Sequence, residues 1–419
     1  MINMKLGSMH RQVTGLSGNE IFCLNKLGYR PGQLCVGNSV VALGVTRGIG
    51  AGLSNLGGGE VEEITQLVHD GRQKAIERLI NEAKAAGGLG LSGVSFELIN
   101  HGGNLEFLAI GSAVRSIDHS EEVKEPLKFS TAANVQQLYC QIDSGFTPLS
   151  FVFGNVAYSI GVGGNIAGAF KSLKRGEVKE FTEIFDKTRH LALTRLKNEA
   201  KKQGANAVIG IETTLAPLMG AQEMLMIGTA SHHPLLDEFK NNPVTSDMTN
   251  EEMWNMVNIG YLPIQLVMGV SVYSLGLAGG IMSALQSLGG GEVDGLTEIL
   301  YEAREKALAR IQQDAINCGA DEVVGVKTRV YDLGGGMVEF MAIGTAVKKV
   351  REVTTINPNL PPQAIIQDRE TFIESFGGGT LDLVKGGASS ARRMQQGPMA
   401  IIFAIFIVLF YIFKFVMMR

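Results

Sequence analysis

Between Glu292 and Asn317 apolar side chains return every three or four residues, at Val293, Leu296, Ile299, Leu300, Ala303, Ala307, Leu308 and Ile311. That rhythm predicts a helix with one apolar stripe, closed by Gly319 in the C-cap position. Two β-branched runs follow, 323–330 and 338–347, split by the turn Asp332-Leu-Gly-Gly-Gly, which predicts a pair of strands. Ahead of the helix stands a β run, Val267-Met-Gly-Val-Ser-Val-Tyr-Ser, entered through a turn of Gly, aromatic and Pro (Gly260 to Pro263). A short helical lead-in begins at Thr249, which with Glu252 has capping-box spacing. The pattern predicts an α+β fold, a β-α-β-β unit whose helix lies across one face of a small, largely antiparallel sheet.

The same grammar occurs three times. Leu56-Gly-Gly-Gly-Glu-Val-Glu returns as Leu288-Gly-Gly-Gly-Glu-Val-Asp, with Lys174-Arg-Gly-Glu-Val-Lys between them, so Glu60, Glu177 and Glu292 stand 117 and 115 residues apart. A second anchor keeps this register: the Gly of Phe107-Leu-Ala-Ile-Gly, Met224-Leu-Met-Ile-Gly and Phe340-Met-Ala-Ile-Gly falls at 111, 228 and 344. The period suits a small domain rather than a solenoid repeat. It sets copies at 17–116, 131–233 and 249–350, then a short helix and Gly/Ser-rich tether at 363–397 and a last segment at 398–418. A sheet of three strands has open edges, and neighbouring copies, in the same chain or another, are expected to cover them.

Ala303-Arg-Glu-Lys-Ala-Leu-Ala, Cys318-Gly-Ala-Asp-Glu-Val-Val-Gly-Val and Phe340-Met-Ala-Ile-Gly-Thr-Ala-Val resemble the YbjQ-like "heavy-metal-binding" domain family. The middle copy carries the resemblance in Gly204-Ala-Asn-Ala-Val-Ile-Gly-Ile, whereas the first departs from it at Gly87-Gly-Leu-Gly-Leu-Ser-Gly-Val. Most of residues 30–350 is covered. The resemblance implies a subunit similar to that of dodecin and assembly into rings, typically five-fold, so the expected partner is the chain itself, in five-fold or stacked rings.

Residues 399–413 carry no charge, Lys414 follows, and Pro398 stands where a first helical turn accepts proline. The segment approaches the roughly 20 residues that cross a bilayer. The expectation is a single-pass transmembrane helix at 398–418 in contact with lipid, a tail anchor with the large domain facing the cytoplasm.

Composition narrows the chemistry. With 37 Lys+Arg against 41 Asp+Glu, net charge -4, there is no basic excess for nucleic acid. Cys23, Cys35, Cys140 and Cys318 lack metal-ligand spacing and suit a reducing compartment. His232 and His233 are adjacent, which does not converge on one ion, so no metal site is expected. The Gly-rich stretches 48–52, 161–165 and 276–280 lack Gly-Lys-Ser/Thr and predict no nucleotide site. No acid/base pair or nucleophile recurs, so neither enzyme activity nor a cofactor is expected.

What does recur is charge. Glu60, Glu177 and Glu292 open the long helices, where a carboxylate favours the helix dipole. Arg72, Arg189 and Arg304 border the apolar stripe and need a carboxylate: Glu82, Glu199 or Asp314, or one on a neighbouring copy. A subunit-interface ion pair is preferred to anion binding. The expected function is a homo-oligomeric ring or cage-like scaffold at a membrane. The alternatives are a small-ligand or metal-binding oligomer and a pore, though Tyr411 and Lys414 are the polar groups of the tail before Arg419 and line a lumen poorly.

Overall fold

The computed structural model describes residues 13–42, 59–101, 104–117, 127–159, 175–218, 221–274, 294–334, 337–366 and 380–382. The first copy runs α1 (Gly18–Lys26), β1 (Tyr29–Ala42), β2 (Gly59–Glu60), α2 (Glu62–Ala85), β3 (Gly90–Asn100) and β4 (Asn104–Ser116). In the second come β5 (Phe129–Ser130), α3 (Val135–Asp143), β6 (Thr147–Ser159), β7 (Gly176–Glu177), α4 (Lys179–Lys202), β8 (Ala207–Leu218) and β9 (Ala221–His232). The third has β10 (Val244–Thr245), α5 (Asn250–Asn258), β11 (Tyr261–Ser274), α6 (Asp294–Asn317), β12 (Glu322–Gly334) and β13 (Met337–Lys349). A single turn, α7 (Pro362–Ile365), and a short strand, β14 (Thr380–Asp382), follow.

Local chemistry sets each boundary. The three lead-in helices all start in complete capping boxes, Ser17 with Glu20, Asn134 with Gln137 and Thr249 with Glu252, which satisfy amides left free in a first turn. The expected Gly-aromatic-Pro turns differ in one respect. Gly28, Gly145 and Gly260 make the turn at positive φ, but Pro31, Pro148 and Pro263 already lie in the strands, each at a register shift. Proline has no N–H to give the ladder, so the strand bulges there.

In every copy the last strand lies between the other two, giving the antiparallel orders β1-β4-β3, β6-β9-β8 and β11-β13-β12. The long helix packs on the first of its strands. The copies are then stitched together at the edges. β5, on its way into the second copy, runs parallel along β3, and β10 does the same along β8. In the opposite sense β2 of the first copy pairs antiparallel with β6 of the second, and β7 of the second with β11 of the third. Each of the first two copies therefore lends a strand to the next and takes one from it, as unpaired edges demand.

The cores are shared as well. Ile64, Val68, Ala75 and Leu79 of α2 lie in one apolar cluster with Phe151, Phe153 and Ala157 of β6 and Leu225 and Ile227 of β9. Phe185, Ala192 and Leu196 of α4 likewise join Met268, Val272 and Met341 of the third copy. α2 and α4 are thus each covered by their own sheet on one side and by the following sheet on the other.

Two expectations need correction. Among the described residues no helix is long and apolar enough to cross a membrane, because the long helices are charged on part of their surface and spend their apolar stripes on sheets. The anchor expected at 398–418 lies outside the described residues, and the membrane localisation with the large domain facing the cytoplasm is withdrawn. The region read as tether, 363–397, also contains β14, whose Thr380 to Asp382 pair with Ile99 to Glu97 on the remaining open edge of β3.

Candidate functional site

The recurrent charges gather at the two junctions between copies. Arg72 projects from α2 and is fully buried. Its Nη2 donates to Glu223 Oε2 of the second copy at 2.8 Å, and its Nη1 donates to the other oxygen of the same carboxylate. Asn155 Nδ2 donates to Glu223 Oε1 at 3.3 Å and to Thr65 O at 3.1 Å, tying strand β6 to helix α2. The aromatic rings of Phe96 and Phe107 face the guanidinium with centroids at 5.8 Å. Bidentate pairing and flanking rings together offset part of the desolvation of two buried charges.

At the second junction Arg189 Nη2 donates to Glu339 Oε1 of the third copy at 2.5 Å, between the rings of Tyr158 and Phe185 at 5.1 and 5.2 Å. Val270 stands where the first junction has Asn155, so the side chain that braces Glu223 has no counterpart here. Burial pushes the Glu339 carboxyl up from its ordinary value, against the pull of Arg189.

The other recurrent residues sit on the rims of these junctions. Glu60 lies in β2, one residue ahead of the N-cap, and meets Arg195 of the second copy at 2.7 Å. Its counterpart Glu177 accepts from Arg310 Nη2 at 2.8 Å and Lys306 Nζ at 2.9 Å, both of the third copy. These two carboxylates join copies as well as standing near a helix start. Glu292 lies outside the described residues. Glu82 does not meet Arg72: ten residues along a helix is about 15 Å, and its Oε2 accepts from the Val36 amide at 2.8 Å. Glu199 pairs with Lys202 at 2.6 Å, and Asp314 faces His190 Nε2 of the second copy at 3.7 Å. Arg304 belongs to the third copy and enters neither of the two described junctions. Its half-exposed guanidinium meets Glu305 at 3.1 Å and lies 5.0 Å from the Tyr301 ring.

Helical periodicity does not single out the partners Glu223 and Glu339, although the sequence carries a signal for them. With Glu106 they recur immediately before the Phe/Met-Leu/Met-Ala/Met-Ile-Gly phrase, a charge at the same place in three otherwise apolar strands.

His190 adds pH dependence at the second junction. Hydrogen bonding to Asp314, against the cost of burial and helped by the Asp186 carbonyl and charge, raises it to about 9. Its stabilising contribution is complete below its ordinary value of 6.5 and disappears as pH rises through about 9. The imidazole is 41% exposed, so the effect is about 1 kcal/mol or less. Thermal unfolding of the native chain and of His190→Gln at pH 6 and pH 10 checks this: the gap between the two should close at the higher pH.

Between the first two copies lies an open groove of about 1250 Å³, lined by Glu63, Gln66 and Asp70 on one bank and Asn198, Lys201 and Lys202 on another. Among the described residues no three His, Cys, Asp or Glu side chains converge as metal ligands. Cys23, Cys35 and Cys140 are buried, and burial drives the Cys35 thiol up to about 11 and raises that of Cys140 as well.

A family model described as "Putative heavy-metal-binding" matches residues 30–117, 146–233 and 258–350. An encapsulin nanocompartment protein of Mycobacterium tuberculosis is 30% identical over 206 residues, 48% of this chain and 77% of the relative. A UPF0145 protein of Thermotoga maritima is 47% identical over 83 residues, 20% of this chain and 78% of that protein. Another, from Thermoplasma acidophilum, is 39% identical over 106 residues and is covered over 88% of its length.

Proposed function

Because the chain belongs to the YbjQ-like family, whose domain model it matches three times over, we propose that it is a self-associating scaffold that works without catalytic turnover or a resident cofactor. The observation that carries this reading is the contrast between the inner and outer faces of the array. Phe153 and Ala157 of the second copy are 3% and 0% exposed, and Met268 and Val272 of the third are 1% and 0%. Val36 and Val40 occupy the same positions in the first copy and are 42% and 58% exposed. A face made to be covered is left bare at one end of the chain, and bare apolar faces favour association.

The relative named as an encapsulin nanocompartment protein supports the same reading, since that name describes an assembled enclosure. A single five-fold ring of copies cannot be built from whole chains that each place all three copies in it, so a ring of that kind holds a multiple of three copies, whereas stacked five-fold rings take one copy of each chain per layer. Sedimentation equilibrium of the purified full chain tests the proposal. The expected mass is a whole multiple, two or more, of 44.9 kDa, and a monomer at micromolar concentration overturns it.

A further inference from the structure

The two internal junctions follow one rule. An arginine on the long helix reaches into the next copy and pairs with a glutamate on its last strand, Arg72 with Glu223 and Arg189 with Glu339. The triplication supplies one arginine and one glutamate more than these two junctions use. Arg304, at the carboxyl end of the array, has a side chain 45% exposed, whereas Arg72 and Arg189 are fully buried. Glu106, at the amino end, is the counterpart of Glu223 and Glu339.

Glu106 is already braced as its counterpart Glu223 is. Asn38 Nδ2 donates to Glu106 Oε1 at 3.1 Å, repeating the bond from Asn155 to Glu223, and His101 Nε2 lies 2.7 Å from Oε2. These hydrogen bonds keep the Glu106 carboxyl below its ordinary value, in its charged form.

Apolar positions around both groups show the same imbalance. At the carboxyl end Val326 and Val330 are 42% and 50% exposed, whereas their counterparts Val94 and Leu98 in the first copy are 2% and 3% exposed under the second copy. At the amino end Phe22 is 38% exposed, while its counterparts Tyr139 and Trp254 are 9% and 6% exposed among the packed lead-in helices.

We propose that the occupant of both bare faces is a second copy of this chain, joined head to tail so that Arg304 of one molecule pairs with Glu106 of the next. This rests on the scaffold reading and specifies its interface. The contact is heterologous, with different surfaces on its two sides, so it closes into a ring or continues as a filament according to the rotation per chain. Opposite charges meet, apolar faces of matching origin are covered, and the third junction repeats the two already present.

Charge reversal tests the pairing by sedimentation of the full-length chain. Arg304→Glu sets two carboxylates against each other and should weaken association on the order of 100-fold. Arg304 is exposed, so the thermal unfolding of the separated chain should stay near that of the native one. Arg304→Glu combined with Glu106→Arg restores opposite charges across the contact and should return the native assembly. Val40→Glu, from the other side of the junction, should dissociate the assembly as Arg304→Glu does. If Arg304→Glu assembles like the native chain, or if the double reversal stays dissociated while folded, this pairing is overturned and self-association survives. If Val40→Glu assembles normally, the amino-terminal face is not the partner surface. If the native chain is itself monomeric, the scaffold reading falls together with the interface.

Discussion

Replacing Arg189 by methionine should destabilise the chain by about 3–5 kcal/mol, the cost of leaving a buried carboxylate without its cation. Glu339 is 1% exposed, and Arg189 is the cation that pairs it. The double variant Arg189→Met, Glu339→Leu removes both charges and should recover most of the loss, since apolar replacements of a buried pair are often neutral or better. Arg72→Met should cost about 1 kcal/mol less than Arg189→Met, because Asn155 still donates to Glu223 and one such hydrogen bond contributes roughly that much. Urea unfolding of the four proteins would measure these differences. If Arg189→Met lies within about 1 kcal/mol of the native chain, the pair does not hold the second and third copies together.

Gly154→Ala should be as damaging for a steric reason. A Cβ there would lie 2.3 Å from Ala192 O and 2.6 Å from Leu196 N, both helix backbone atoms that cannot swing aside. The same closeness recurs at Gly37 against Ala75 O, 2.1 Å, and at Gly269 against Ala307 O, 1.9 Å. Strand and helix touch backbone to backbone at these three places, and a methyl group must push α4 from its sheet. Overpacking normally costs about 1–3 kcal/mol. With a rigid neighbour on a helix packed from both sides, about 3 kcal/mol or more is expected. Gly18→Ala is the control: nothing lies within 4 Å of the added atom, and unfolding should move by less than about 0.5 kcal/mol. Equal stability for Gly154→Ala and the native chain would mean that the helix can retreat without loss.

Much of this architecture can be read from the chain because its signals are local. The three- and four-residue rhythm from Val293 to Ile311 specifies a helix wherever it packs, and the Gly-Gly-Gly-Glu-Val anchors fix the triplication without any contact being known. The junctions are harder to read. Arg72 and Glu223 are 151 residues apart, and periodicity along one element cannot tell which distant strand approaches it. Arg72 therefore reads as the border of a stripe, although α2 is covered on both sides and the residue lies deep inside. The glycines at 37, 154 and 269 pass unnoticed for a related reason. Glycine in a β run usually marks a bulge or a weak spot, and only the crossing helix reveals that these permit contact. A charge recurring inside three apolar strands, as Glu106, Glu223 and Glu339 do, was the available clue to burial with a partner.

The strands exchanged between copies put two definitions of a module out of phase. The gene-level period runs from lead-in to last strand, but the block that should melt cooperatively straddles it, from one long helix to the sheet beyond. A single period excised at its sequence borders would lose a borrowed strand on each edge of its sheet and half the covering of its helix. Shuffling, deleting or grafting such periods should therefore succeed when the cuts fall inside the repeat, and fail where the sequence itself invites them.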